Sequence, residues 1–504
     1  MWVQGRRCDG YSSQNAKDTQ IKAQTARSSS SRPSYSTGAP SITTYAIPFR
    51  IPGSQRERQM LHYFCVEAAA DLTGFSYSDF WERTVLQSSY DEPVVRQALI
   101  ALSSAHLEYG RKAQNIGEGT DDLDVDPEPL IQYNKAIRKL RRYMTSKDQP
   151  SIHVTFTCCA LFFCFENTRG HYDNALQHLR NGVMILREAR ATPTASTSAY
   201  GSSLGDIDEL AHVLARMDLQ ATLFDDSRTP LLDLTTPEER AGTTPCIPRN
   251  IFFNLGEAQK TLDKLQNQLL RFLTLNNDFK FTQQDQLPAF IVQEKMELEE
   301  QYYRWSIAME GFMRQKQGDA SEGMQLSQKK RFREGAMLLR LHHATMQMLL
   351  LANFPENNDI WGASPNLYAE NILHLSEALI SNTKVCSSPA ATDAVRSFSS
   401  EMGVVVPLSM LAVKCRDVQI CSRAVSLLAA SKRREGLVDA QMVVKLVQGI
   451  AVLKAQQTVT PLVAEAAERM GNTLDTMALE GWGAEVIDSS KGGLHNLAKM
   501  LEVD

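Results

Sequence analysis

No apolar run among the 504 residues reaches the length of about 20 that a membrane-spanning helix needs. The longest, Val154–Phe165 and Met402–Val413, cover about a dozen residues each and read as buried core segments. The first thirty residues hold no apolar stretch of the kind that marks a secretory leader. No CxxC pair occurs, so a local thiolate zinc site is excluded. The nine cysteines are odd in number and irregular in spacing, which argues against a disulfide framework and for buried thiols in a reducing compartment. Strand-type alternation is nowhere sustained, and no repeat of fixed period is visible.

Charge is present but uneven. The chain totals −5, yet residues 1–55 carry +5 and the remainder −10. A small basic head on a large acidic body places any nucleic-acid contact in the head. Residues 12–46 contain nine serines and five threonines, with no Leu, Val, Phe or Trp. Such a stretch buries too little apolar area to offset its ordering entropy and is expected to be a disordered linker.

From Gln55 onward the spacing turns helical. Met60, Leu61, Phe64 and Ala68 recur at three- and four-residue steps. Pro93 suits the first turn of a helix faced by Val94, Ala98, Ala101, Leu102 and Ala105. Residues 129–144 read as an amphipathic helix, 151–167 as one buried nearly all round, and 172–190 as the next after a break at Gly170. A second low-complexity link is expected at 191–205. Four or five longer helices are expected in 250–385, and a final helical group in 398–475. The expected fold class is therefore all-α: a large helical body, residues 47–504, behind the tether.

Motifs that suggest chemistry have plainer readings. Gly201-Ser202-Ser203-Leu204-Gly205 spells a nucleophile elbow, but the elbow needs a preceding strand and none is expected. Asp121, Asp122, Asp124 and Asp126 sit in a turn-rich acidic loop, not on one helix face. His342 and His343 are adjacent on a helix and point about 100° apart. His171 and His178 share a face, with no suitably spaced carboxylate or thiolate beside either pair. Cys158, Cys159 and Cys164 read as small core residues. Lys329–Arg333 and Lys432-Arg433-Arg434 are short basic runs, readable as import or phosphate patches and by default as charged helix ends. Tyr302–Trp305 and Met337–Leu351 are rich enough in aromatics and methionine to line a cavity, though core packing is the default. No catalytic or ligand-binding residue is assigned, and the chain is not expected to be an enzyme.

Two sets of residues carry a family resemblance. Gly5, Arg6, Cys8, Asp9, Gly10 and Tyr11 resemble the last piece of a fungal zinc binuclear cluster, in which six cysteines hold two zinc ions. Residues 1–11 form this remnant; Cys8 would be the sixth cysteine, and the other five do not precede it here. One thiolate cannot build the cluster, since each zinc needs four ligands. The body resembles the fungal-specific transcription factor regulatory domain through Phe80-Trp81, Glu92–Arg96, Phe162–Glu166 with Arg169-Gly170, Leu214–Gln220, Lys414-Cys415-Arg416-Asp417 and Arg433–Gly436. The tryptophan expected shortly after Gly436 is replaced by Leu437-Val438-Asp439.

The resemblance implies a nuclear regulator of RNA polymerase II transcription, with zinc in the full-length family member. It implies as partners DNA, through Cys8's cluster with Arg6 and Arg7 on phosphates, and transcriptional machinery or regulatory proteins. It leaves room for a small-molecule effector and a homodimer. Two readings stay open, with a third of another class behind them, an α-helical enzyme using the acidic loop at Asp121 and Asp122 or a histidine pair. Either the cluster is completed upstream of Met1, or the chain is a cluster-less regulator that works through protein partners.

Overall fold

A computed structural model describes residues 52–455, apart from 77, 113–125, 147–150, 192–203, 225–227, 241–245, 248–249, 320–324, 356, 358 and 385–395. The head and linker, with Arg6, Arg7 and Cys8, lie outside the described residues. So do Asp121, Asp122, Asp124 and Ser202.

The described body is all-α with one small sheet. It opens with α1 (Gln55–Tyr63), a π turn (Phe64–Ala68) and α2 (Ala69–Thr73). A second π turn (Phe80–Thr84) leads into α3 (Val85–Asp91) and α4 (Pro93–Lys112). Next come α5 (Glu128–Ser146), α6 (Ile152–Thr168), α7 (Tyr172–Ala191), α8 (Leu204–Phe224) and the short α9 (Pro237–Arg240). Then follow α10 (Leu255–Leu275), α11 (Ala289–Asp319), α12 (Leu326–Leu351), α13 (Asp359–Gly362) and α14 (Leu367–Lys384). The chain continues through β1 (Ser397–Ser399), α15 (Val405–Lys414), α16 (Val418–Ser431), β2 (Arg433–Glu435), β3 (Val438–Asp439) and α17 (Ala440–Ala455).

Local sequence explains most boundaries. Ser54 and Glu57 form a reciprocal capping box at α1. Gly74 at φ 61° ends α2, and Gly170 at φ 79° separates α6 from α7, conformations that cost a side chain but not glycine. Asp126 accepts the Glu128 N–H at 2.9 Å, so the described end of the acidic loop serves as a helix cap.

The core is continuous. α6 packs on α4 and α7, and every residue from Val154 to Thr168 is buried. Trp81, Trp305 and Trp361 are fully enclosed. Each large aromatic removes roughly 150–250 Å² from water, which at about 25 cal/mol per Å² makes such rings principal anchors.

The sheet corrects the reading of Lys432-Arg433-Arg434. β1 pairs parallel with β2, and β2 turns back on β3 through Gly436 at φ 56°. Lys432 is the left-handed residue ending α16. Arg433 stacks over Phe75 at 4.4 Å and bonds Glu435 at 3.3 Å. Arg434 is buried over the Tyr172 ring and donates to its hydroxyl. The two arginines are covered by aromatic faces and an acid, so the run is not an open basic patch. Glu435 is 1 % exposed. It accepts the N–H groups of Gly403, Val404 and Val405 at 2.8, 3.1 and 2.8 Å, holding a carboxylate at the positive end of α15.

Candidate functional site

Five pieces of chain surround a groove of about 870 Å³. α8 supplies Glu209, His212 and Arg216; α10 and its cap supply Asn254, Gln259 and Lys260. α11 gives Phe312, α12 gives Phe332, Leu338 and Leu339, and the segment before α3 gives Ser76, Ser78 and Phe80. A neighbouring hollow of about 840 Å³ shares His212, Asn254, Gly256 and Lys260 with it. Both are within the size range of small-molecule sites.

The groove has apolar walls and a charged floor. Arg216 Nε and Nη2 donate to the two Glu401 oxygens at 2.8 and 3.1 Å, the bidentate fork that fits a guanidinium to a carboxylate. Arg216 Nη1 donates to Asp263 at 3.3 Å. Burial works against the Arg216 charge, but Glu401 and Asp263 reverse that effect and raise its proton affinity. Two carboxylates thus face one guanidinium. His212 Nδ1 stands 3.7 Å from Asp263, too far for a hydrogen bond, and is a buried nitrogen without a hydrogen-bond partner.

The α8 block that carries Arg216 is structural elsewhere. Asp218 is fully buried, pairs with Arg228 and accepts the Leu232 N–H at 2.9 Å, which ties the following loop to the helix. Gln220 donates to the Ser400 carbonyl at 2.8 Å and lies against Gly436, where an added Cβ would collide with it.

The histidines singled out by sequence prove structural. His342 and His343 are both buried, with Nε2 atoms 3.1 and 2.9 Å from the carbonyls of Gly403 and Tyr302. Burial pushes the pKa of each down to about 4. His171 and His178 separate: His171 lies just before α7, and its Nδ1 is 2.9 Å from Glu166, so a carboxylate does stand beside it. His178 instead shares a 2.7 Å hydrogen bond with the Tyr133 hydroxyl. Among the described residues no group of three or more His, Cys, Asp and Glu side chains is placed to hold a metal.

Tyr302 and Trp305 pack into the core; the indole N–H donates to the Ala258 carbonyl at 3.0 Å, and the ring stacks on His343. Of Met337–Leu351, Leu338 and Leu339 reach the groove. Lys330 and Arg331 of the other basic run bond the Asn382 carbonyl and Glu82. Sequence reasoning missed Lys260 as a groove residue, and Glu401 and Asp263 as the partners that hold Arg216 beneath it. Arg216 lies within the Leu214–Gln220 block, but its partner Glu401 is 185 positions away.

The body is helical with a groove between its helices, and the family model it matches places the chain among fungal regulators of transcription. It belongs to the fungal specific transcription factor domain family, whose match covers residues 59–383. The chain is similar to the aspercryptin biosynthesis cluster-specific transcription regulator atnN of Emericella nidulans, at 23% identity over 89% of this chain and 82% of that protein. It is also similar to the transcription regulator lscL of Purpureocillium lilacinum, at 30% identity over 38% of this chain and 44% of that protein. Family and relatives are transcription regulators, not enzymes. No solved structure matches the chain. No helix among the described residues is long and apolar enough to cross a membrane.

Proposed function

We propose that this chain is a nuclear regulator of RNA polymerase II transcription that controls a co-localised set of biosynthetic genes. The observation that carries the reading is its similarity along 89% of its length to a regulator named as specific to one biosynthesis cluster. Within the body, the groove over Arg216, Glu401 and Asp263 takes the small-molecule effector. Its apolar walls suit a carbon skeleton, and His212 and Lys260 suit polar substituents.

DNA reading belongs to the zinc binuclear cluster, with Cys8 as a zinc thiolate and Arg6 and Arg7 on phosphates. The donors within this sequence do not fit that cluster: the head holds Cys8 alone, where six thiolates are needed. Mapping the 5′ end of the transcript separates the two readings. Five further cysteines at cluster spacing ahead of Trp2 give a DNA reader; a transcript beginning at Met1 gives a cluster-less regulator that acts through a protein partner.

The function itself is tested by deleting the gene and sequencing RNA. Transcripts of one contiguous block of genes are expected to fall together. Scattered changes, or none, would overturn the assignment.

A further inference from the structure

The corner between α15 and α16 brings two thiols together. Cys415 ends α15, its N–H bonding the Leu411 carbonyl at 3.1 Å. Cys421 lies in the first turn and a half of α16, with Asp417 as the intervening cap. The short link folds back on itself, so the Cys421 Sγ lies 2.9 Å from the Cys415 carbonyl oxygen and 3.7 Å from that of Leu411. The two thiols stand close enough to act on each other's proton affinity. The Cys415 Sγ also reaches the Trp361 carbonyl at 3.3 Å. Cys415 is buried, while Cys421 is partly open to solvent.

We propose that Cys415 and Cys421 form a dithiol modification site that takes a peroxide and closes to an intramolecular disulfide. The inference stands apart from the effector groove and from the zinc head.

The environment assigns the roles. The neighbouring Cys421 thiol favours a thiolate on Cys415 most, and the backbone N–H groups of Asp417 and Arg416 act in the same sense, against the opposing effects of burial and of the Asp417 carboxylate. Together they draw the Cys415 proton affinity down, and the same interaction draws that of Cys421 up. Burial alone acts on Cys158 and Cys164, raising both far above an ordinary thiol, and pushes Cys159 and Cys246 up to about 12. Cys65 is exposed, but its thiol is also raised. Among the described thiols, Cys415 is drawn towards the thiolate, which is the nucleophilic form.

The chemistry balances in two steps. The Cys415 thiolate attacks one peroxide oxygen; the O–O bond breaks, and the departing hydroxide takes up a proton as water. The resulting Cys415 sulfenic acid is attacked by the Cys421 sulfur. The S–S bond forms, the S–O bond breaks, and the second water carries away the Cys421 proton. One peroxide is reduced and two thiols are oxidised. Closure also removes the Cys415 Sγ from the Trp361 carbonyl, which keeps its bond from the Arg416 N–H at 3.0 Å.

The test treats the full-length reduced chain with one equivalent of hydrogen peroxide, alkylates the remaining thiols and maps tryptic peptides. Trypsin cuts after Lys414, Arg416 and Arg423. The expected product is Cys415-Arg416 disulfide-linked to Asp417–Arg423, with two of the nine thiols lost and both recovered by dithiothreitol. The same linkage should form at least tenfold more slowly in urea, where the corner is not held. Cys421→Ser should stop at a Cys415 sulfenic acid that dimedone traps. Loss of Cys65 alone, or equal rates in the folded and unfolded chains, would overturn the proposal; neither readout depends on a variant folding.

Discussion

Helices α6 and α10 are both deeply engaged, yet they are held in opposite ways. α6 is buried from Val154 to Thr168, and its N-terminal residue Ser151 makes no side-chain cap. Phe156, Phe162, Phe163 and Phe165 fix it by packing. α10 buries one side, is capped by Asn254, and carries Asp263, Gln266 and Asn267 inward with its leucines. Asn267 holds the loop before α9 through the Leu234 N–H at 3.2 Å and the Leu232 carbonyl at 2.9 Å. Asp263 meets Arg216 under the groove. The apolar helix supplies bulk stability; the mixed helix spends some of that stability on specific geometry beneath the groove.

The largest effect that would sharpen this contrast is at the groove floor. Arg216→Ala leaves Glu401 and Asp263 buried without their cation, and is expected to destabilise the chain by about 3–5 kcal/mol. A triple replacement, Arg216→Met with Asp263→Leu and Glu401→Leu, should recover most of that loss, because the desolvation cost leaves with the charges. Urea midpoints of the two variants measure it. If the single and triple variants are equally weak, the floor is a packing element like α6 and the contrast fails.

How much of this was legible follows the same division. α6 shows itself in sequence because Phe, Cys, Leu and Ala fill both faces of one uninterrupted segment. Pro93 and Gly170 marked their boundaries because each acts through its own backbone. The groove did not show itself. Arg216 and Glu401 are read as two separate charges until the fold brings them within 2.8 Å. Arg433 and Arg434 read as a basic run because a sequence prints charge without neighbours; Phe75, Tyr172 and Glu435 supply the cover. Cys415 lies in the Lys414–Asp417 motif, but its partner Cys421 carried no signal until the α15–α16 corner folded back. Residues 1–11, where the DNA-reading chemistry was placed, lie outside the described residues.

Acid provides the next test, because buried histidines flank α10. His343 stacks on Trp305, whose indole donates to Ala258 of α10, and His342 lines a small hollow with Asp263. Burial lowers each from 6.5 to about 4. Both are neutral in either state at neutral pH. As pH falls below 6.5 the unfolded chain takes up protons that the folded chain refuses. Stability is therefore complete above about pH 6.5 and is lost down to about pH 4, by up to about 3 kcal/mol per histidine. Urea midpoints at pH 7.5 and 5 should fall accordingly, and His343→Gln should flatten the dependence. A midpoint constant across that range would show that these rings are protonated or hydrated in the folded chain.

The smallest effect compares the two helix starts directly. Asn254 Oδ1 accepts the Glu257 N–H at 2.8 Å, while Glu257 reaches back to the Phe253 N–H at 2.7 Å. Asn254→Ala frees a donor at the groove rim and should cost about 1 kcal/mol. Ser151→Ala should cost only about a few tenths, since no side-chain bond is lost there. The difference isolates capping from packing, because both substitutions trim a small polar side chain ahead of a long helix. Equal costs would mean that α10 is held at its start, as α6 is, by burial of the turns that follow, and that the rim of the groove owes its shape to the leucines beneath it and not to its cap.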